Sequence, residues 1–128
     1  MNATIIVVDD DPRIVDLICD ILNEESIPTE SCPHGHAAHS CIRRKQPKVV
    51  ILDIQMPLVD GIELFTLLRA DPATIHIPVI FFTANAQRLL HWYPNFKDLD
   101  AILVPKPFDI NHLIKTVTQT LTRYGTSS

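Results

Sequence analysis

A chain of 128 residues with 46% hydrophobic and 20% charged side chains has the size and composition of one domain, long enough to bury roughly two-thirds of its unfolded surface. A formal net charge of -4 argues against a nucleic-acid surface, which needs clustered Lys and Arg, and only Arg43, Arg44 and Lys45 cluster. The N-terminal MNATIIVV carries neither a basic leader nor a long apolar run, so neither a signal peptide nor a membrane span is read and a cytoplasmic location is expected.

The first apolar run, Ile5 to Val8, reads as a strand that ends in three carboxylates, Asp9, Asp10 and Asp11. Asp11-Pro12 then starts a helix, with the carboxylate as cap and Pro at the first helical position. Ile14, Leu17, Ile18, Ile21 and Leu22 give that helix one apolar stripe as far as about Ser26. A short polar strand over about Thr29 to Cys32 suits a sheet edge. Pro33 and Gly35 lead into a second helix, with Ala37, Ala38, Cys41 and Ile42 on its apolar face, and Gln46-Pro47 ends it.

Val49 to Leu52 is the organising stretch: a fully apolar run reads as a buried parallel strand, and it delivers Asp53 into a loop marked by Pro57 and Gly61. A third helix is expected from about Ile62 to Ala70, closed by Asp71-Pro72. Pro78 opens a fourth strand, VIFFT, ending at Thr83. Between Asn85 and Asp100, Leu89, Leu90, Trp92 and Tyr93 suggest a helix that Pro94 cuts short or kinks. A fifth strand, Ala101 to Val104, runs into Lys106-Pro107, and a last helix covers about Asp109 to Tyr124. Residues 1–124 are read as the domain and 125–128 as a polar tail, too short to hold an effector domain.

Five strands alternating with five helices predict a single α/β domain: a doubly wound parallel sheet, flavodoxin-like, with helices on both faces and right-handed crossovers. A polar second strand favours the order 2-1-3-4-5, whose switch point lies between strands one and three. Asp9, Asp10 and Asp53 fall there. Converging carboxylates repel one another unless protons or a cation neutralise them. Oxygen donors without His or Cys select Mg²⁺ or a relative such as Mn²⁺, and a carboxylate beside such an ion can act as the nucleophile of phosphoryl transfer. The transferred group needs its outer oxygens held, which Thr83 and Lys106 at the ends of strands four and five could do, with small Ala84 leaving room.

The ordered set Asp9-Asp10, Asp53 before IQMPLVDG, Thr83-Ala84 and Lys106-Pro107-Phe108 closely resembles the receiver domain of two-component response regulators, as in chemotaxis regulators. The resemblance covers Thr4 to about Leu121. It implies that Asp53 takes phosphate from a sensor histidine kinase or a histidine phosphotransfer protein. It further implies that Asp10, Asp53 and the Gln55 carbonyl bind Mg²⁺ directly, that Asp9 acts through water, and that Thr83 and Lys106 hold the phosphoryl oxygens. The Lys106-Pro107 bond would be cis. The implied partners are the kinase and an output protein, with a homodimer also considered, and neither nucleic acid nor membrane.

Two departures stand against the pattern. Leu103 occupies the position where receivers usually carry a switching Tyr or Phe, and Trp92-Tyr93-Pro94-Asn95-Phe96 lacks the usual small-residue end of the fourth helix. For those rings, capping the core of a shortened helix is preferred to a partner surface. A zinc site across Cys32, His34, His36, His39 and Cys41 is weighed and set aside because the spacing fits no closed site, and Cys19, Cys32 and Cys41 are all expected as reduced thiols. A degenerate receiver acting as a scaffold is the alternative function. A phosphatase of free substrates would want an acid two residues after Asp53, where Gln55 stands.

Overall fold

The computed structural model describes residues 4–124; the expected polar tail, 125–128, lies outside the described residues. Five strands, β1 (Ile5–Val8), β2 (Thr29–Ser31), β3 (Val49–Leu52), β4 (Val79–Thr83) and β5 (Ala101–Pro105), pair in parallel in the order β2-β1-β3-β4-β5. Five helices alternate with them: α1 (Pro12–Glu24), α2 (Ala38–Lys45), α3 (Gly61–Ala70), α4 (Gln87–Trp92) and α5 (Ile110–Tyr124). The expected order holds, with polar β2 at an edge and wholly buried β3 in the middle.

Alternation along the strands sends successive side chains to opposite faces, so the sheet carries two cores. Ile5, Val7, Ile51, Ile80 and Phe82 pack with Ile18 and Leu22 of α1 and Leu113 and Val117 of α5. On the other face Ile6, Val8, Leu52 and Phe81 pack with Ile42 of α2, Phe65 of α3 and Leu89 of α4. Asp11 caps α1 by accepting from the Arg13 N–H, and Asp60 caps α3 by accepting from the Glu63 N–H.

The stretch from 85 to 100 resolves into six residues of α4, a break at Tyr93-Pro94, and a short 3-10 turn, Phe96–Leu99. Tyr93 and Phe96 do cap the core: Phe96 is buried, and the Tyr93 ring meets Phe65 edge-on at 5.1 Å while its hydroxyl bonds Thr66 Oγ1. Trp92 does not, and is 62% exposed. One expectation is corrected. Cys32 and Cys41 are joined by a disulfide rather than reduced, because the end of β2 and the buried face of α2 bring their Cα atoms to 6.0 Å; only Cys19 is a free thiol. The same pairing takes both sulfurs from any zinc site, and His39 is engaged by Asp71 at 2.8 Å.

Candidate functional site

Register builds the acidic edge. Val8 is paired with Leu52, and the Asp53 N–H donates to the Val8 carbonyl at 3.1 Å, so the next residues, Asp9 and Asp53, emerge side by side where the two strands end. Likewise Thr83 is opposite Pro105, and the Lys106 N–H continues the ladder by donating to the Thr83 carbonyl at 2.9 Å. Four strand ends thus supply one cluster, at the carboxyl edge of the sheet.

Carboxylate oxygens of Asp9, Asp10 and Asp53 lie within 4.8 Å of one another. Asp9 and Asp53 are buried, and Asp10 is exposed. The Lys106 ammonium reaches Asp53 Oδ2 at 3.3 Å and Asp9 Oδ2 at 3.5 Å, and also sits 4.8 Å from the centre of the Phe82 ring. Its peptide bond to Pro107 is cis, as the resemblance implies.

Burial pushes the Asp53 carboxyl above the usual carboxylate range, opposed by the Lys106 charge and by N–H donors from Gln55 and Ile54. Asp9 moves the same way: burial and the Asp53 charge raise it, while the Asp11 N–H and Lys106 lower it. A single ammonium therefore undercompensates three acids. This donor set, with oxygens close together, two of them desolvated and no His or Cys among them, fits a hard divalent cation.

Thr83 is buried at the end of β4, and its hydroxyl is engaged locally: it accepts from the Asn85 N–H at 3.2 Å and donates to the Asn85 carbonyl at 3.4 Å. Ala84 next to it is exposed and, with Lys106, Phe108, Ile14, Leu17 and Ile110, lines an apolar groove beside the acidic edge. Gln55 is exposed in the loop after Asp53, and Leu103 is half-buried on β5, packed against the core under α3 and α4.

Two positions have roles that the sequence did not assign them. Gly61 closes the loop that begins at Asp53, its N–H donating to the Ile54 carbonyl at 2.8 Å; a Cβ there would fall on the Asp53 carbonyl and the Ile54 Cα. Asn85 links Thr83 to α4, since its Oδ1 accepts from the Gln87 N–H at 3.0 Å. An Asn just before a helix is itself a capping signal that could have marked it.

Known proteins resemble this chain over nearly its whole length. Residues 5–118 match the response regulator receiver domain family. The heme response regulator HssR of Staphylococcus aureus is 34% identical over 123 residues, which is 96% of this chain and 53% of that protein. The chain thus spans about half the length of the curated relatives it matches. Among solved structures, the receiver domain of Francisella response regulator 1452 is 30% identical, with a TM-score of 0.80 over 95% of this chain and 98% of that one. Vibrio cholerae chemotaxis protein CheY4 shares the fold, with a TM-score of 0.80 at 23% identity over 94% of this chain and 100% of that one. A family match across nearly the whole chain, on a fold whose sheet edge gathers Asp9, Asp10, Asp53, Thr83 and Lys106, makes this chain a member of the response regulator receiver domain family.

Proposed function

We propose that Asp53 is the phosphoacceptor of this receiver, charged by a histidine kinase or a histidine phosphotransfer protein, and that the domain signals through its surface. The observation that carries this is the Asp53 carboxylate at the sheet edge, 3.3 Å from the Lys106 ammonium and close to two further carboxylates. In the reaction an Asp53 oxygen attacks phosphorus, an O–P bond forms, and the bond from phosphorus to the donor's imidazole nitrogen breaks, the nitrogen keeping the electron pair. Lys106 moves from Asp53 toward the incoming phosphoryl oxygens, and the Thr83 hydroxyl donates to another. Hydrolysis of the acyl phosphate by water later returns the carboxylate and inorganic phosphate.

Asp10, Asp53 and the Gln55 carbonyl would hold Mg²⁺, with Asp9 engaged through water and Mn²⁺ as a substitute. When bound, the ion supplies charge neutralisation for the phosphoryl oxygens. The apolar groove beside the edge supports docking of a donor protein there, since Leu17 and Ile110 are 43% and 51% exposed. Family membership supports a histidine kinase or phosphotransfer protein as partner and a cytoplasmic setting; among the described residues no helix is long and apolar enough to cross a membrane.

Intact-mass measurement with a small acyl- or amido-phosphate donor and Mg²⁺ tests this. One phosphoryl adduct is expected on the wild type and none on Asp53→Asn; an undiminished adduct on the variant overturns the assignment. The scaffold reading is favoured by Leu103, which lacks the usual ring, and by the short, atypical α4. It predicts that the wild type too stays unmodified.

A further inference from the structure

Cys32 leaves β2 at the same carboxyl edge of the sheet, its N–H donating to the Val7 carbonyl at 3.2 Å, but the proposed phosphorylation uses neither Cys32 nor Cys41. Cys32 follows β2 and Cys41 lies on the inner face of α2; each is 4% exposed, over a core that includes Ala38, Ile42 and Met56. Their Cα atoms are 6.0 Å apart, a spacing at which two cysteines bridge without moving the backbone. Cys19 packs on the opposite face of the sheet with the α1 core.

The bridge ties down the segment 33–37, which reaches the loop after Asp53. Gly35, at φ 90°, faces Leu58 so closely that a Cβ there would meet Leu58 Cδ1 at 3.2 Å. Leu58 is itself at φ 70° and 73% exposed, while Gly35 beside it is buried. His36, from the same segment, joins Val59, Asp60 and Trp92 in lining a groove of about 590 Å³ between α3 and α4.

We propose that Cys32 and Cys41 form a reversible dithiol–disulfide site, oxidised by a peroxide and reduced by a dithiol, whose closed form holds the segment 33–37 against Leu58. In compartments that keep thiols reduced, a disulfide is ordinarily a sensing or catalytic device rather than a staple, and the cytoplasmic setting proposed above is such a compartment. The chemistry balances in two steps. One cysteine thiolate attacks a peroxide oxygen, the O–O bond breaks, and a sulfenic acid and, after protonation, water result. The second thiol then attacks that sulfur, the S–S bond forms, and the S–O bond breaks with loss of a second water. With hydrogen peroxide the sum is two thiols and one peroxide to one disulfide and two waters, two electrons passing from sulfur to oxygen. Reduction by a dithiol runs through a mixed disulfide.

The test does not read phosphorylation, so its failure and failure of the Asp53 assignment are separate. The whole chain is treated folded with hydrogen peroxide or with dithiothreitol, then unfolded, alkylated with a maleimide and weighed. One adduct is expected after peroxide and three after dithiothreitol, with Cys19→Ser giving none and two. Hydrogen exchange across 33–37 and 56–59 should be several-fold slower in the oxidised wild type than in the reduced one, and Cys41→Ala should erase that difference. The wild-type comparison stands by itself if the variant does not fold. Three adducts after peroxide, a bridge that includes Cys19, a bridge that survives dithiothreitol in the folded chain, or equal exchange in the two wild-type forms would each overturn the proposal.

Discussion

Asp71 shows how much a single side chain can hold. Its carboxylate accepts from the Ala73 N–H at 2.9 Å and pairs with His39 at 2.8 Å and Arg43 at 3.3 Å, so the end of α3 is tied to α2. The Ala73 N–H first, with His39 and Arg43 against the opposing effect of burial, holds its carboxyl below the usual 3.8. A depressed carboxyl means that the unfolded chain binds the proton more tightly, so this stabilisation is complete above pH 3.8 and fades as pH falls through the lower folded value. Asp71→Ala should therefore lower stability near neutrality, and in urea titrations taken from about pH 5 downward the gap to the wild type should shrink. A gap that widens in acid would contradict the assignment.

At the acidic edge the sign reverses. Asp9 and Asp53 are raised by burial, so the folded protein binds their protons more tightly and loses stability as pH rises above 3.8. A cation that binds only the folded state acts against that loss, by about 2.7 kcal/mol at a hundredfold excess over Kd. Added Mg²⁺ should thus raise the melting temperature at neutral pH. Asp10→Ala should remove the rise while leaving the metal-free protein as stable or more so, because a like charge is gone. An equal Mg²⁺ response in the variant, read by calorimetry, would remove Asp10 from the site.

At the level of elements the loop from Asp53 to Gly61 is the least forgiving. Its closure depends on Gly61 having no Cβ, since one would strike backbone that no rotamer change can move aside. Gly61→Ala should cost about 1–3 kcal/mol, the range for overpacked sites, and should slow any phosphorylation of Asp53 by displacing its carbonyl. Denaturant unfolding checks the first part, and an unchanged midpoint would show that the loop yields. The strands were legible because their apolar runs end abruptly in Asp9, Asp53, Thr83 and Lys106, and hydrophobic pattern is a signal that one sequence carries by itself. Contacts between particular side chains on separate elements were not. The Cys32–Cys41 bridge depends on how far α2 leans over β2, and the bond between Tyr93 and Thr66 joins residues 27 apart, which no local period reports. The same limit explains Trp92: burial gains predict rings on the core, but α4 breaks after six residues and turns only Tyr93 and Phe96 inward.

Across the whole molecule the open question is how a group added at Asp53 would be felt on the far surface, and Leu103 decides where to look. It is half-buried, and burying a leucine fully is worth about 1.5–3 kcal/mol, so an exchange between two partly buried positions is worth less. Driving a two-state equilibrium from 1:99 to 99:1 takes about 5.5 kcal/mol, more than Leu103 can supply. The alternative route begins at Thr83. If its hydroxyl turns to a phosphoryl oxygen, it gives up the bond from the Asn85 N–H, and Asn85 is the residue whose side chain holds the first N–H of α4. Because α4 is only six residues long and Tyr93 anchors its far end through Phe65 and Thr66, a change at its start is carried along it to Trp92 rather than absorbed. Beryllofluoride with Mg²⁺, a mimic of the acyl phosphate, should therefore change the emission of Trp92, the sole tryptophan, while Leu103→Ala leaves both that change and phosphorylation of Asp53 nearly intact. Flat Trp92 emission at saturating beryllofluoride, or loss of the response in Leu103→Ala, would return the coupling to β5 and rule out the route through Asn85.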